Sequence, residues 1–185
     1  KLSYSRLKET GSIYIFGVFE MLRKISILLD NNGFRFRDYI IWDHVQGTGG
    51  GLWVNRHEDI LYYSKNGKAY QNKEAVTVDR EEKNMREYGG QIYDKKNLSN
   101  IWRYPVLDEK SLERVSDITQ KPIAVLDYIL AGSCPPGGST IDFFAGSGSF
   151  GIACMRRKVK CVLVEKESEN IEWIKYRIAK EHSDA

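Results

Sequence analysis

The residues best suited to chemistry lie in one short run, Ile141-Asp-Phe-Phe-Ala-Gly-Ser-Gly-Ser-Phe-Gly151, at the point where an apolar segment gives way to a helical pattern. Glycines let a backbone pass close to a ligand, and a helix beginning there presents free N–H groups. Gly146-x-Gly148-x-x-Gly151 matches the dinucleotide fingerprint, and Glu165 ends the next apolar segment 19 residues after Gly146. A bare glycine pattern of this kind is as often a packing turn as a cofactor site. No Gly-Lys-Ser/Thr follows, which excludes a Walker A loop.

Two features separate a nicotinamide site from an S-adenosylmethionine site. Asp142 stands four residues before the first glycine, where a carboxylate can order the turn and face the cationic half of a ligand, and where it repels a pyrophosphate. Only about 20 residues follow Glu165, too few for the strands that a dinucleotide domain starting here needs downstream. The rest of the sheet must come from upstream, and NAD chemistry survives only as the literal glycine match.

The elements that position this run follow from periodicity. Ser12–Gly17 reads as a buried strand, and Met21, Leu22, Ile25, Leu28 and Leu29 keep helical spacing up to an Asn31-Asn32-Gly33 stop. Phe34–Trp42 and Ile60–Tyr63 read as strands, with a glycine-rich connector at Gln46–Gly51 that is expected to hold no regular structure. From Lys65 to Arg114 the apolar period fades, with 11 Lys/Arg against 9 Asp/Glu. Order then returns as a helix at Pro122–Ala131, a strand at Ser139–Phe144, a helix at Ser147–Lys158, a strand at Lys160–Val164 and a helix at Ser168–Glu181 carrying Ile171, Ile174 and Ile178 on one side. Alternating strands and helices imply an α/β sheet covered on both faces.

The chain has 185 residues, room for about one domain. A net charge of +3 excludes a polyelectrolyte without excluding nucleic acid, and 42% apolar residues exclude a disordered chain. Cys134, Cys154 and Cys161 have no pairing or metal-ligand spacing, and with only His44, His57 and His182 beside them no structural zinc is expected. Reduced thiols and a cytoplasmic location are expected. No apolar stretch approaches the roughly 20 residues of a membrane span, and no membrane partner is expected. The polar start lacks a signal-peptide core and an initiator Met, so the chain is expected to begin inside a longer reading frame.

Asp142-Phe-Phe-Ala-Gly-Ser-Gly-Ser149 resembles the Asp-Pro-Phe-x-Gly-Ser-Gly-Thr cofactor motif of the amino DNA methyltransferases (N6-adenine/N4-cytosine), in the circularly ordered beta class where that motif lies near the C-terminus. Phe143 stands for the usual Pro and Ser149 for the usual Thr. Thr119-Gln-Lys-Pro122 resembles the family's Thr-Gln-Lys-Pro element, at the same short distance upstream. Gly11–Gly17, Ile40–Trp42, Arg56–Lys65 and Asn100–Trp102 resemble further blocks in the family's order, so the likeness covers most of the chain outside Gly67–Ser99.

The resemblance implies a single Rossmann-like class I methyltransferase domain, incomplete at its N-terminus, using S-adenosylmethionine to methylate adenine N6 in double-stranded DNA. Cytosine N4 is the alternative target, and a catalytically inactive DNA-binding subunit the alternative role. It further implies that Phe144, Ala145, Gly146, Ser147 and Gly148 wrap the methionine end of the cofactor. Glu165 would take the ribose hydroxyls, and Thr119, Gln120 and Lys121 would lie over the methionine carboxylate. Asp142 would order the turn. Glu165 could instead cap the next helix and Lys121 could be a solvated charge.

Residues 66–115 would be the target-recognition insertion, with Lys83, Arg86, Lys95, Lys96 and Arg103 for phosphates and Tyr88 and Tyr93 for bases or sugars. A homodimer or a restriction-modification partner is expected on the same ground. His57 and Glu58, adjacent on a strand, point to opposite faces and read as structural.

The family's catalytic Asp/Asn/Ser-Pro-Pro-Tyr/Phe tetrapeptide is absent. The only Pro-Pro, in Cys134-Pro-Pro-Gly137, has neither the polar first residue nor the aromatic last one and reads as a turn. By the family's topology the tetrapeptide follows a central strand, so that strand is expected to lie upstream of Lys1.

Overall fold

The computed structural model describes residues 1–48, 51–79, 86–88, 91–93, 95–115 and 120–183, and the chain divides into two compact units, Lys1–Tyr104 and Pro105–Ala185. The first unit opens with a short helix α1 (Leu2–Arg6), strand β1 (Ser12–Gly17), helix α2 (Phe19–Asn31) and the long strands β2 (Arg35–Thr48) and β3 (Asn55–Ser64). A single 3-10 turn at Glu74–Val76 leads into the three-residue strands β4 (Thr77–Asp79), β5 (Arg86–Tyr88), β6 (Gln91–Tyr93), β7 (Lys95–Asn97) and β8 (Ile101–Arg103).

The main sheet has the order β1-β3-β2-β8, with β3 antiparallel to both neighbours and β8 parallel to β2. α2 lays its apolar stripe on this sheet: Leu22 and Leu29 are buried with Phe34, Leu61 and Tyr63, flanked by Ile13, Ile15 and Tyr39. The helix stops where expected, because Gly33 takes φ +87 and the Asn32 side chain donates to the Leu28 carbonyl at 2.7 Å.

Two features differ from the expectation. The connector at Gln46–Gly51 is partly strand, since β2 runs to Thr48 and pairs it with Asn55 across an irregular register after Asp43. Val45 takes φ 68 there, and its N–H is held by Asp43 Oδ1 at 2.9 Å, so the bulge absorbs the extra residues and pairing resumes. Within the charged stretch, Ile101–Arg103 belongs to the main sheet, and Trp102 is buried.

Trp42 is 1% exposed, and its Nε1 donates to the Tyr104 carbonyl at 2.8 Å. Trp42→Phe keeps most of the apolar contact but leaves that carbonyl without its indole donor. The substitution should lower stability by about 1–3 kcal/mol, read as an earlier urea midpoint at unchanged slope.

The second unit contains α3 (Ile123–Ser133), β9 (Ser139–Asp142), α4 (Ser149–Arg156), β10 (Lys160–Leu163) and α5 (Ser168–Ser183). β9 and β10 pair in parallel, Ser139 opposite Lys160 through Asp142 opposite Leu163, as a strand–helix–strand crossover requires. α4 packs against α3, α5 and β10. Its C-terminal end is tied by Arg157 to Asp127 on α3 and by Arg156 to Glu181 on α5, the latter with Nη2 to Oε2 at 2.9 Å. A Cβ on Gly151 would come within 2.6 Å of Leu163 Cδ1, so the third glycine of the fingerprint serves helix-on-strand packing.

The Pro-Pro segment is a turn, as its sequence suggests: Gly138 N–H closes on the Pro135 carbonyl at 2.9 Å and leads into β9. The three cysteines are free thiols, and Cys154 is held above its ordinary range by the neighbouring Cys161 thiol and by burial. Among the described residues no helix is long and apolar enough to cross a membrane.

Candidate functional site

The turn from β9 into α4 is built by its own backbone. Ala145 N–H donates to the Val164 carbonyl at 3.0 Å, and Gly148 N–H to the Ala145 carbonyl at 2.8 Å, which closes a tight bend. Gly146 (φ 51) and Gly148 (φ 78) sit in the left-handed region, and Gly148 is the N-cap of α4. L side chains avoid that region, and this is the local reason for glycine at both positions.

Asp142, at the end of β9, accepts the Phe144 N–H at 3.0 Å. Burial pushes its carboxyl above the ordinary range, the Phe144 N–H pulls it back, and the Glu165 charge pushes it further up. Phe144 is 91% exposed beside it, whereas Ala145, Ser147 and Ser149 are buried. The bend thus offers an exposed aromatic ring and a half-buried acid on one loop.

Glu165 caps the start of the following helix and also reaches back to the glycine bend. Its Oε1 accepts the N–H groups of Lys166 (2.8 Å) and Glu167 (3.0 Å) just before α5, and its Oε2 accepts the Gly146 N–H at 2.7 Å. These donors, Glu167 foremost, hold its carboxyl below the usual carboxylate range. The Asn170 side chain is a fourth donor to this carboxylate, so a ligand hydroxyl would have to share or replace one of these bonds.

The serines of the motif turn inward. Ser147 and Ser149 hydroxyls lie 3.3 Å apart, and Arg177 Nη1 on α5 donates to Ser149 Oγ (3.0 Å), Ser147 Oγ (3.3 Å) and the Ser147 carbonyl (3.0 Å). Ser147 therefore has its backbone, not its hydroxyl, to offer a ligand. Ile174, one turn before Arg177, fills the space where a Gly148 side chain would go, with Cγ1 2.9 Å from the ideal Cβ. The motif did not include Arg177 or Ile174. The signal that could have found Arg177 is a cation three residues after Ile174 on the apolar side of the last helix.

Gln120 is buried and committed within its unit: Nε2 donates to the Glu113 carbonyl at 2.7 Å and Oε1 accepts the Val115 N–H at 3.2 Å. Glu113 Oε1 in turn accepts the Ile123 N–H at 2.8 Å, capping α3 after Pro122. Lys121 is half-buried beside this cap, and Thr119 lies outside the described residues.

The expected DNA contacts are placed in part. Lys83 lies outside the described residues; Arg86 opposes Tyr93, and Tyr88 opposes Gln91, in the β5–β6 hairpin. Lys95 and Lys96 are exposed on β7. Arg103 is 71% exposed, with Nε 3.9 Å from Asp43 Oδ2, a carboxylate already held by both Nε and Nη2 of Arg56. His57 pairs through Nε2 with the buried Asp59 at 3.5 Å, two residues along the same face of β3.

Comparison with known proteins gives a family match and a set of fold relatives. The DNA methylase (N6/N4) family model matches residues 1–176. The Type II methyltransferase M.HpaI of Haemophilus parainfluenzae is 30% identical over 96% of this chain and 56% of its own length. M.HinfI of Haemophilus influenzae is 27% identical over 93% of this chain and 47% of its own length. The chain thus spans about half the length of these curated relatives. Among solved structures, the cytosine-N4-specific PvuII DNA methyltransferase aligns at TM-score 0.76 and 13% identity, covering 96% of this chain and 67% of that one. The M1.HpyAVI–SAM complex aligns at TM-score 0.66 and 24% identity, covering 94% and 77%. These last two likenesses show the fold, a Rossmann-like methyltransferase architecture.

Proposed function

The chain belongs to the N6/N4 DNA methylase family, and on that premise we propose that it forms the S-adenosylmethionine-binding part of a DNA methyltransferase acting on adenine N6 in double-stranded DNA. The observation that carries this reading is the β9–α4 bend: two left-handed glycines are fixed from behind, while Phe144 stands exposed and the Glu165 carboxylate lies against the loop through the Gly146 N–H. Such a bend fits a ligand with an adenosine ribose and a cationic, amino-acid end. Glu165 would take ribose hydroxyls, the backbone of Ala145–Gly148 would run along the methionine end, and Asp142 would face the positive charge.

Bound there, S-adenosylmethionine supplies an electrophilic methyl group on a sulfonium. The protein's task is to hold that end in place and to keep the adjoining carboxylate charged. DNA is the partner this reading requires, in the cytoplasm; residues 1–104 carry 17 Lys and Arg against 13 Asp and Glu, whereas residues 105–185 carry 11 against 12, which favours the first unit for phosphate contacts. A second copy of the chain and a cognate restriction enzyme are the protein partners proposed with it. The likeness to the cytosine-N4-specific PvuII enzyme supports cytosine N4 as a second reading of the target.

Titration calorimetry with S-adenosylmethionine and with NAD tests the proposal. Saturable binding of the first and none of the second is expected; tight NAD binding with silence toward S-adenosylmethionine would overturn it. Nucleoside analysis of DNA modified by this chain joined to a segment carrying the Asp/Asn/Ser-Pro-Pro-aromatic tetrapeptide decides between N6-methyladenine and N4-methylcytosine.

The Asp142 carboxyl adds a pH signature. Its pKa in the ligand-free protein is raised, so between its ordinary value and that raised value it is partly protonated and a cationic ligand must draw it back to the charged form. Preference for S-adenosylmethionine over S-adenosylhomocysteine, which has a neutral thioether in place of the sulfonium, should therefore grow as pH rises through the range just above 3.8, and Asp142→Asn should flatten the trend. Paired titrations from acid to neutral pH read it directly.

A further inference from the structure

We propose that Arg177 is a positioning residue for the cofactor loop, acting through Ser147 and Ser149 from the protein side of the bend; this rests on the cofactor reading above. Arg177 is 6% exposed, and its guanidinium lies near the start of α4. Among the described residues no carboxylate stands within ion-pair distance of it, and Glu113 and Glu181 act on it only from farther away. Burying a cation without a paired anion is costly, and the N-terminal end of a helix opposes a positive charge. Neither stability nor helix electrostatics favours an arginine at this spot, so its role is read from what it holds.

It holds the carbonyl of Ser147, the last loop residue before the Gly148 cap, and the hydroxyls on both sides of that cap. The same C-terminal segment holds the other two points of the bend, Gly146 through Glu165 and Gly148 through contact with Ile174. Three successive loop positions are thus fixed from residues 165 to 177. Two of the three contacts are directional hydrogen bonds, and the one from Arg177 gathers a carbonyl and two hydroxyls on a single guanidinium nitrogen, Nη1. Loss of it frees the bend to rotate about its two glycines, the positions with the fewest steric limits.

The test compares Arg177→Met, which keeps the stem and volume but no donors, with Arg177→Lys, which keeps the charge and a donor. Ser147→Ala/Ser149→Ala removes the receiving hydroxyls instead. All are made in the full chain. Arg177→Met should bind S-adenosylmethionine about 10- to 50-fold more weakly with a thermal midpoint near wild type, and Arg177→Lys should recover most of that loss. The serine pair should cost about 5-fold.

The amide resonances of Gly146 and Gly148 should move in Arg177→Met without any ligand. A folded Arg177→Met that binds within twofold of wild type, or better than Arg177→Lys, overturns the proposal. If Arg177→Met does not fold, the serine pair decides by the same twofold criterion. A wild-type chain that ignores S-adenosylmethionine would sink the cofactor reading, while the glycine resonances still decide the role of Arg177.

Discussion

Gly148→Val is expected to abolish measurable cofactor binding while leaving the first unit folded. Two costs add at this position. A residue with a Cβ at φ 78 carries about 1–2 kcal/mol of backbone strain, more when β-branched. The new Cβ would also stand 2.9 Å from Ile174 Cγ1 and 3.5 Å from two further atoms of the same side chain, none of them the far end of a flexible chain. Overpacking of that kind costs about 1–3 kcal/mol.

Relief must come from the bend, because Ile174 is anchored in α5, so the Gly146–Gly148 backbone moves away from where the ligand needs it. Binding should fall by about 100-fold or more, since the full cost falls on the conformation that binds. Gly137→Ala is the control: φ is 68 there and nothing lies within 4 Å of the new Cβ, so only the backbone strain applies. Calorimetry on both variants separates the two costs, and near-equal losses of affinity would refute the packing argument.

The same contrast shows how much was legible before the structure. Local signals served where an element's stability is local or its pattern long. α2 ends at Asn31-Asn32-Gly33 as read, and the strand–helix–strand–helix order from Ser139 to the end follows the apolar periods to within a few residues. β1 was bounded correctly by its glycines.

What escaped depends on partners distant in sequence. β8 is three residues long and exists because Ile101–Arg103 finds the edge of β2, and β2 reaches Thr48 because Asn55 is there to pair with it. No window along the chain contains that information. At the site, the motif located the bend and its acid, but not the direction of each side chain. Ser147 sits inside the motif with its hydroxyl engaged by Arg177, and Arg177 sits outside the motif. Gln120 is likewise spent on Glu113 and Val115, so whatever it contributes to a ligand must pass through the segment it braces.

Residues 1–185 by themselves should bind S-adenosylmethionine yet transfer its methyl group to DNA about 10,000-fold more slowly than an enzyme supplied with the Asp/Asn/Ser-Pro-Pro-aromatic tetrapeptide. An exocyclic amine is a poor nucleophile because its lone pair is delocalised into the ring. Attack requires a hydrogen-bond acceptor that draws the N–H groups aside and an aromatic face that holds the flipped base. Positioning of that quality supplies several powers of ten on its own.

The two carboxylates at the bend cannot take over the task. Asp142 is bound to the Phe144 N–H, and Glu165 is spent on Gly146, Lys166 and Glu167, so an approaching amine would have to displace the contacts that shape the cofactor loop. The remaining Pro-Pro, at Pro135-Pro136, closes a turn ahead of β9 and has a thiol and a glycine where the acceptor and the ring would be needed. Labelled methyl transfer to unmethylated duplex DNA should stay at background for the 185-residue chain and appear when a segment carrying the tetrapeptide is fused ahead of Lys1. Transfer by the 185 residues alone at a rate near one turnover per minute would show that another acceptor serves, and Asp142→Asn would then be the first variant to examine.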